Sequence, residues 1–209
     1  MARVPTLELI AGLWLAATAG VGGAVPEPLE AGDRPVLGAA AAPVTVIEVA
    51  SFKCAHCRDF HQRIFPVLKK EYIITGKVRW IVLNADDDPA EEFAPVFPAA
   101  RCALRQGKYW ELLDALFETA PRSSGAFTER FARSPLLDRE EFARCLRERD
   151  TRNAVAADYA AYRRLQVRGT PTFLISRREA DGGRTETRVA GAQTLARFRE
   201  LLDALLSRP

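Results

Sequence analysis

The chain has 209 residues, 48% hydrophobic and 27% charged, the balance of a soluble globular protein built as one domain, or as one domain with an insertion. Lys and Arg outnumber Asp and Glu by 30 to 27, for a net charge of +3. The basic residues are scattered over helical segments with no stripe interleaved with aromatics, which argues against a nucleic-acid partner.

The N-terminus reads as a separate piece. Leu9 to Pro26 carries no charge and opens on an apolar core, Leu9–Ala17; Arg3 precedes it, and small residues end it at Ala17-Thr18-Ala19 and Gly22-Gly23-Ala24. That layout predicts a signal peptide over residues 1–24, or an uncleaved anchor, and hence export to the periplasm or an equivalent compartment. Glu8 and the single positive charge depart from the usual pattern. Residues 25–42, rich in Pro, Gly and Ala, read as a linker.

Val44–Ala50 is a near-continuous apolar run of strand length, suited to a buried central strand. A helical pattern follows from about Cys54 to Tyr72, with a kink expected at Pro66, and then a second strand over Lys77–Leu83. From Asp86 to about Gln166 the periodicity is helical, in five segments: Phe97–Arg105, Tyr109–Thr119, Phe127–Arg133, Glu140–Arg149 and Ala154–Leu165. Strands over Thr172–Ser176 and Glu186–Ala190 form a hairpin around Asp181-Gly182-Gly183, and Leu195–Leu206 is a final amphipathic helix. Strand, helix, strand at the start makes a βαβ unit with Cys54-Ala55-His56-Cys57 at the first strand's carboxyl end, where open α/β sheets place their chemistry.

A C-x-x-C at the start of a helix puts its first sulfur among unpaired backbone N–H groups and at the positive end of the helix dipole. Both favour the thiolate, the form that attacks disulfides. Lys53, His56 and Arg58 add positive charge around Cys54. Cys54 is therefore the expected nucleophile and Cys57 the buried resolving thiol. Glu48 is charged inside an apolar strand, where a carboxylate must be paired, protonated or kept for use. His61 stands four residues after Cys57, so that Cys54, Cys57, His56 and His61 could ligate a soft metal once reduced.

These residues carry a resemblance. Val46 through Cys57, Phe60-His61, Phe65-Pro66, Thr75-Gly76-Lys77-Val78, Ala100-Arg101-Cys102-Ala103, Gly107-Lys108-Tyr109-Trp110, Cys145-Leu146 and Val167 through Phe173 resemble the DsbA-like thiol:disulfide oxidoreductases of the thioredoxin superfamily, over roughly residues 36–206. The resemblance implies an α/β thioredoxin fold with an inserted all-helical domain. Its first part would span 43–85, the helical insertion 86–166 and its second part 167–209. It implies a catalytic set of Cys54, Cys57, His56 and Glu48, with Glu48 as proton relay for Cys57. Thr170 and Pro171 would form the substrate-binding loop that bears a cis-proline opposite the dithiol, where residues alone would allow an ordinary trans-proline.

Cys102 and Cys145 are expected as a structural disulfide between two inserted helices, or else as two buried thiols; closing that loop would stabilise by roughly 4 kcal/mol. The resemblance implies no cofactor beyond the Cys54–Cys57 disulfide and no metal. It implies unfolded or partly folded exported proteins with free thiols as substrates, a membrane partner that passes electrons to quinone, and a monomer. The family often has proline where this chain has Ala55, which leaves open the strength and direction of the redox reaction. A dithiol reductase or isomerase on the same fold is the alternative, with a non-enzymatic metal-binding or partner-binding module behind it.

Overall fold

The structure, a computed structural model, describes residues 31–85, 95–119, 123–179 and 183–208. The signal-peptide expectation over 1–24 and the turn at Asp181-Gly182 lie outside the described residues. Five strands form one sheet: β1 (Val36–Leu37), β2 (Val44–Ala50), β3 (Val78–Asn84), β4 (Thr172–Arg178) and β5 (Arg184–Ala190), in the order β1-β3-β2-β4-β5. β2 runs parallel to β3 and antiparallel to β4, and β4 pairs antiparallel with β5. β2 is thus central and covered on both faces, which is why its sequence is apolar almost throughout.

The two faces of β2 carry two cores. Val44 and Val46 pack in one with Trp80, Val82, Phe173 and Ile175 from the neighbouring strands and Phe60, Phe198 and Leu202 from helices. Ile47 and Val49 pack in the other with Ile81, Leu83, Leu174 and Ala161. Strand alternation puts Glu48 on the same face as Val46 and Ala50, within the first core. β5 alternates exposed and half-buried positions, and its outward Arg184, Glu186 and Arg188 keep this edge from pairing further.

Between β3 and β4 the described chain is helical: α3 (Val96–Arg105), α4 (Tyr109–Thr119), α5 (Ser124–Ala132), α6 (Arg139–Arg147) and α7 (Arg149–Arg164). Ser123 and Asp138 cap α5 and α6 by accepting from Ala126 N–H and Glu141 N–H. A last helix, α8 (Leu195–Leu206), is capped by Thr194 and packs on the face that holds Phe198 and Leu202. The architecture is a thioredoxin-type α/β sheet with a helical insertion.

Two expectations are corrected. The stretch read as linker contains β1, whose Val36 and Leu37 lie opposite Ile81 and Trp80. Two residues are too few to show a period in sequence. Gly38 follows at φ +89°, with its Cα so close to β3 that a Cβ would stand 2.4 Å from Val78 O, a place only glycine can take. The helix expected from Cys54 to Tyr72 is also not one kinked rod. It divides at Ile64 into α1 (Ala55–Arg63) and α2 (Phe65–Leu68), followed by a π-helical turn, Lys69–Ile73. Pro66 has no N–H for a carbonyl in the preceding turn, so it starts a new helix instead of bending the old one.

Candidate active site

Cys54 is the N-cap of α1, with extended backbone, and its sulfur accepts from Cys57 N–H at 3.3 Å. One helical turn and one N–H suffice to hold the sulfur at the helix's positive end. From the opposite side comes the loop before β4. Its Thr170–Pro171 peptide is cis, and Thr170 O lies 3.3 Å from Cys54 Sγ, within reach of the thiol S–H. Thr172 Oγ1 donates to Gly169 O at 2.7 Å and Gly191 N–H donates to Pro171 O at 2.8 Å, so the loop is tied to itself and to the end of β5.

The two cysteines are unbonded and chemically opposite. The Cys54 thiol is pulled down from 9.0 to about 5, first by the Cys57 thiol donating to it, with further help from the Thr170 side chain and the backbone N–H groups of Cys57 and His56; partial burial opposes this. Cys57 is fully buried and is pushed far above the ordinary thiol range by its hydrogen bond to Cys54, by burial and by the negative charge of Glu48. One sulfur is therefore built to be an anion and the other to be a thiol.

His56 is exposed, and among the described residues its ring makes no hydrogen bond to Cys54; what it aims at the sulfur is its backbone N–H. Glu48 is completely buried, yet well partnered. His61 Nε2 lies 2.9 and 3.0 Å from its two oxygens, and Trp80 Nε1 donates to Oε2 at 3.0 Å. This cluster was not legible as such in the sequence, where His61 suggested only a metal ligand. Among the described residues no group of three or more His, Cys, Asp or Glu side chains is placed to hold a metal ion. The signal was the i, i+4 spacing of Cys57 and His61, which puts the imidazole on the buried face of α1, toward the inward face of β2.

Cys102 on α3 and Cys145 on α6 are joined, S–S 2.04 Å, and both are buried. This pair stands in the helical insertion, apart from the C-x-x-C. The structure thus brings together half-buried Cys54 and Thr170 with buried Cys57 and Pro171, and buries Glu48 completely.

A family model described as Thioredoxin matches residues 30–204. A probable disulfide bond formation protein D of Bacillus cereus is 29% identical over 154 residues, covering 67% of this chain and 68% of that one. A Na(+)/H(+) antiporter, NhaA 3, of Salinispora tropica is 29% identical over 156 residues, and the match spans 74% of this chain but 23% of the antiporter. Among solved structures, alpha-DsbA1 of Wolbachia pipientis superposes with a TM-score of 0.73 at 25% identity, over 86% of this chain and 94% of that one. With a family match over most of its length, a thioredoxin-type sheet and a dithiol at the start of α1, the chain belongs to the thioredoxin family as a DsbA-like protein thiol–disulfide oxidoreductase.

Proposed function

We propose that the protein introduces disulfide bonds into exported proteins, with Cys54 as the exchanging sulfur and Cys57 as the resolving one. The observation that carries this is the lowered Cys54 thiol, about 5, at the helix N-cap. In the oxidised enzyme a substrate thiolate attacks Cys54 Sγ, the Cys54–Cys57 bond breaks, and Cys57 leaves with the electron pair and takes a proton. A second substrate thiolate then attacks the substrate sulfur of the mixed disulfide and expels Cys54. The substrate leaves oxidised and the enzyme reduced. A stabilised Cys54 thiolate is a good leaving group, and the same stabilisation favours the reduced enzyme, which makes the disulfide a strong oxidant.

Glu48 serves as the proton relay for Cys57; its charge acts on that thiol and no solvent reaches it. Thr170 and Pro171 form the loop against which an extended substrate segment lies beside the sulfur. The Cys102–Cys145 disulfide is structural and outside the exchange. The substrates are unfolded or partly folded proteins with free thiols in the periplasm or an equivalent compartment, and a quinone-linked membrane partner re-oxidises the dithiol. The protein acts as a monomer.

The test is the equilibrium of Cys54/Cys57 with reduced and oxidised glutathione. A potential above roughly −180 mV supports an oxidant. A value near −270 mV, where reducing thioredoxins lie, would overturn this direction and make the protein a reductase.

A further inference from the structure

Opening the Cys54–Cys57 disulfide leaves an electron pair on Cys57, in a place where burial and a carboxylate both oppose a negative charge. A proton has to arrive with the bond cleavage and depart when the disulfide closes again. We propose that His61 and Glu48 act as one pair that holds this proton, with His61 as its store and Glu48 as the point of transfer to Cys57. The inference rests on the dithiol reading above and deepens it.

Four observations support it. First, His61 Nε2 faces both Glu48 oxygens at 2.9 and 3.0 Å, so one proton can sit on either partner without rearrangement. Second, the ring is 6% exposed and walled by Phe65, Phe117 and Phe60 at centroid distances of 4.6, 5.1 and 5.6 Å, so protein rather than bulk water surrounds the pair. Third, Nδ1 is buried and has no hydrogen-bond partner among the described residues. With no acceptor at Nδ1 among the described residues, the ring exchanges its proton with Glu48, through Nε2. Fourth, Cys57 lies one turn earlier on the same face of α1, and helical side chains lean toward the preceding turn.

The polar and charged surroundings are few. β2 presents Glu48 and β3 the Trp80 N–H, which holds Oε2 and carries no exchangeable charge. From α4 come Asp114, an exposed carboxyl that feels the His61 charge, and Tyr109, whose hydroxyl donates to Asn84 at 2.8 Å and which feels Glu48. α2 contributes Phe65 and α8 Phe198, neither of which titrates.

The step balances without any added reactant. On opening, the substrate thiolate bonds to Cys54 Sγ and the S–S bond breaks toward Cys57. The pair's proton passes through Glu48 to Cys57 Sγ, leaving neutral His61 beside ionised Glu48. On closing, Cys57 returns that proton to the pair, its thiolate attacks Cys54 of the mixed disulfide, and the substrate departs as thiolate.

The experiment follows the closing step. The reduced protein is mixed with oxidised glutathione, and attack of Cys57 on the mixed disulfide is timed by acid quench from pH 5 to 9. His61→Gln keeps an N–H for Glu48 but cannot carry the proton; His61→Leu keeps neither; Glu48→Gln removes the transfer point. Each is expected to slow closing about 100-fold near pH 6, the lower end of general acid–base contributions. The double variant Glu48→Gln/His61→Gln should be no slower than either single one. The absorbance midpoint of the Cys54 thiolate confirms that each variant is folded, and His61→Asn replaces His61→Gln if that one is not.

Closing at the wild-type rate in His61→Gln, with only His61→Leu slow, would reduce His61 to a clamp and overturn the proposal. Additive losses in the double variant would also overturn it. A wild-type protein that forms no mixed disulfide with glutathione would instead overturn the dithiol reading itself.

Discussion

Cys54 Sγ and the carbonyl oxygen of Thr170 lie 3.3 Å apart, although 116 positions separate the two residues in the chain. The contact closes the site from the β4 side, and the Thr170 side chain adds a bond that favours the thiolate. Reduced protein should show thiolate absorbance at 240 nm that disappears with a midpoint near pH 5. Thr170→Val removes the hydroxyl and should shift that midpoint upward, and so make the disulfide less oxidising. An unmoved midpoint would mean that the Cys57 thiol and the N–H groups of α1 set the thiolate without Thr170.

The same ionisation sets how stability depends on pH. Cys54 is depressed in the folded, reduced protein, so its contribution is fully present above the unfolded thiol value, about 9, and is lost as pH falls toward 5. Cys57 is raised, so it contributes below about 9 and is lost as pH rises above that. The oxidised protein has neither titration. Stability of the reduced form relative to the oxidised form should therefore rise from pH 5 to about 9 and fall beyond. Urea melts of both forms across this range would show it, and a gap that shrinks between pH 5 and 8 would contradict the assignment.

The Cys102–Cys145 bond spans 43 positions and ties α3 to α6. Replacing both with alanine should cost about 2–4 kcal/mol in denaturant unfolding, from the greater freedom of the unfolded chain. The glutathione equilibrium of Cys54/Cys57 should be unchanged. A large change in that equilibrium would assign the second pair to the redox chemistry.

The sequence is most legible where one period or one spacing decides the matter. Val44–Ala50, Tyr109–Thr119 and Leu195–Leu206 have the bounds that their apolar patterns indicate, because each buries its apolar side against a layer of the fold. The C-x-x-C placed Cys54 at a helix start for a local reason, since the cap bond joins residues three apart. Long-range facts were out of reach. β1 is too short to show a pattern, and its partner Ile81 lies 45 positions on from Val36. The Cys57–His61 spacing puts the imidazole on the buried face of α1, but its meeting with Glu48, which Trp80 also holds, depends on how α1 crosses β2 and β3. At His56 the N-cap turn aims the backbone N–H at the Cys54 sulfur and leaves the side chain exposed, a local geometry that residue type alone does not convey.

Asp158 on α7 is the centre of a buried ionic group. It is 5% exposed and takes Arg34 Nε at 2.8 Å on one oxygen and Arg101 Nη2 at 2.7 Å on the other, joining the segment before β1, α3 and α7. Burial pushes its carboxyl up and the two guanidinium groups pull it back. Replacing one member of a buried ionic group leaves the others unpaired, at a cost of about 3–5 kcal/mol. Asp158→Ala should lose that much stability in urea, while Asp158→Asn, which can still accept one hydrogen bond, should lose less. In both, the Cys54 thiolate midpoint should stay near 5, because Asp158 is not among the groups that set it. A midpoint that moves together with the stability would instead tie the helical insertion to the chemistry of the dithiol.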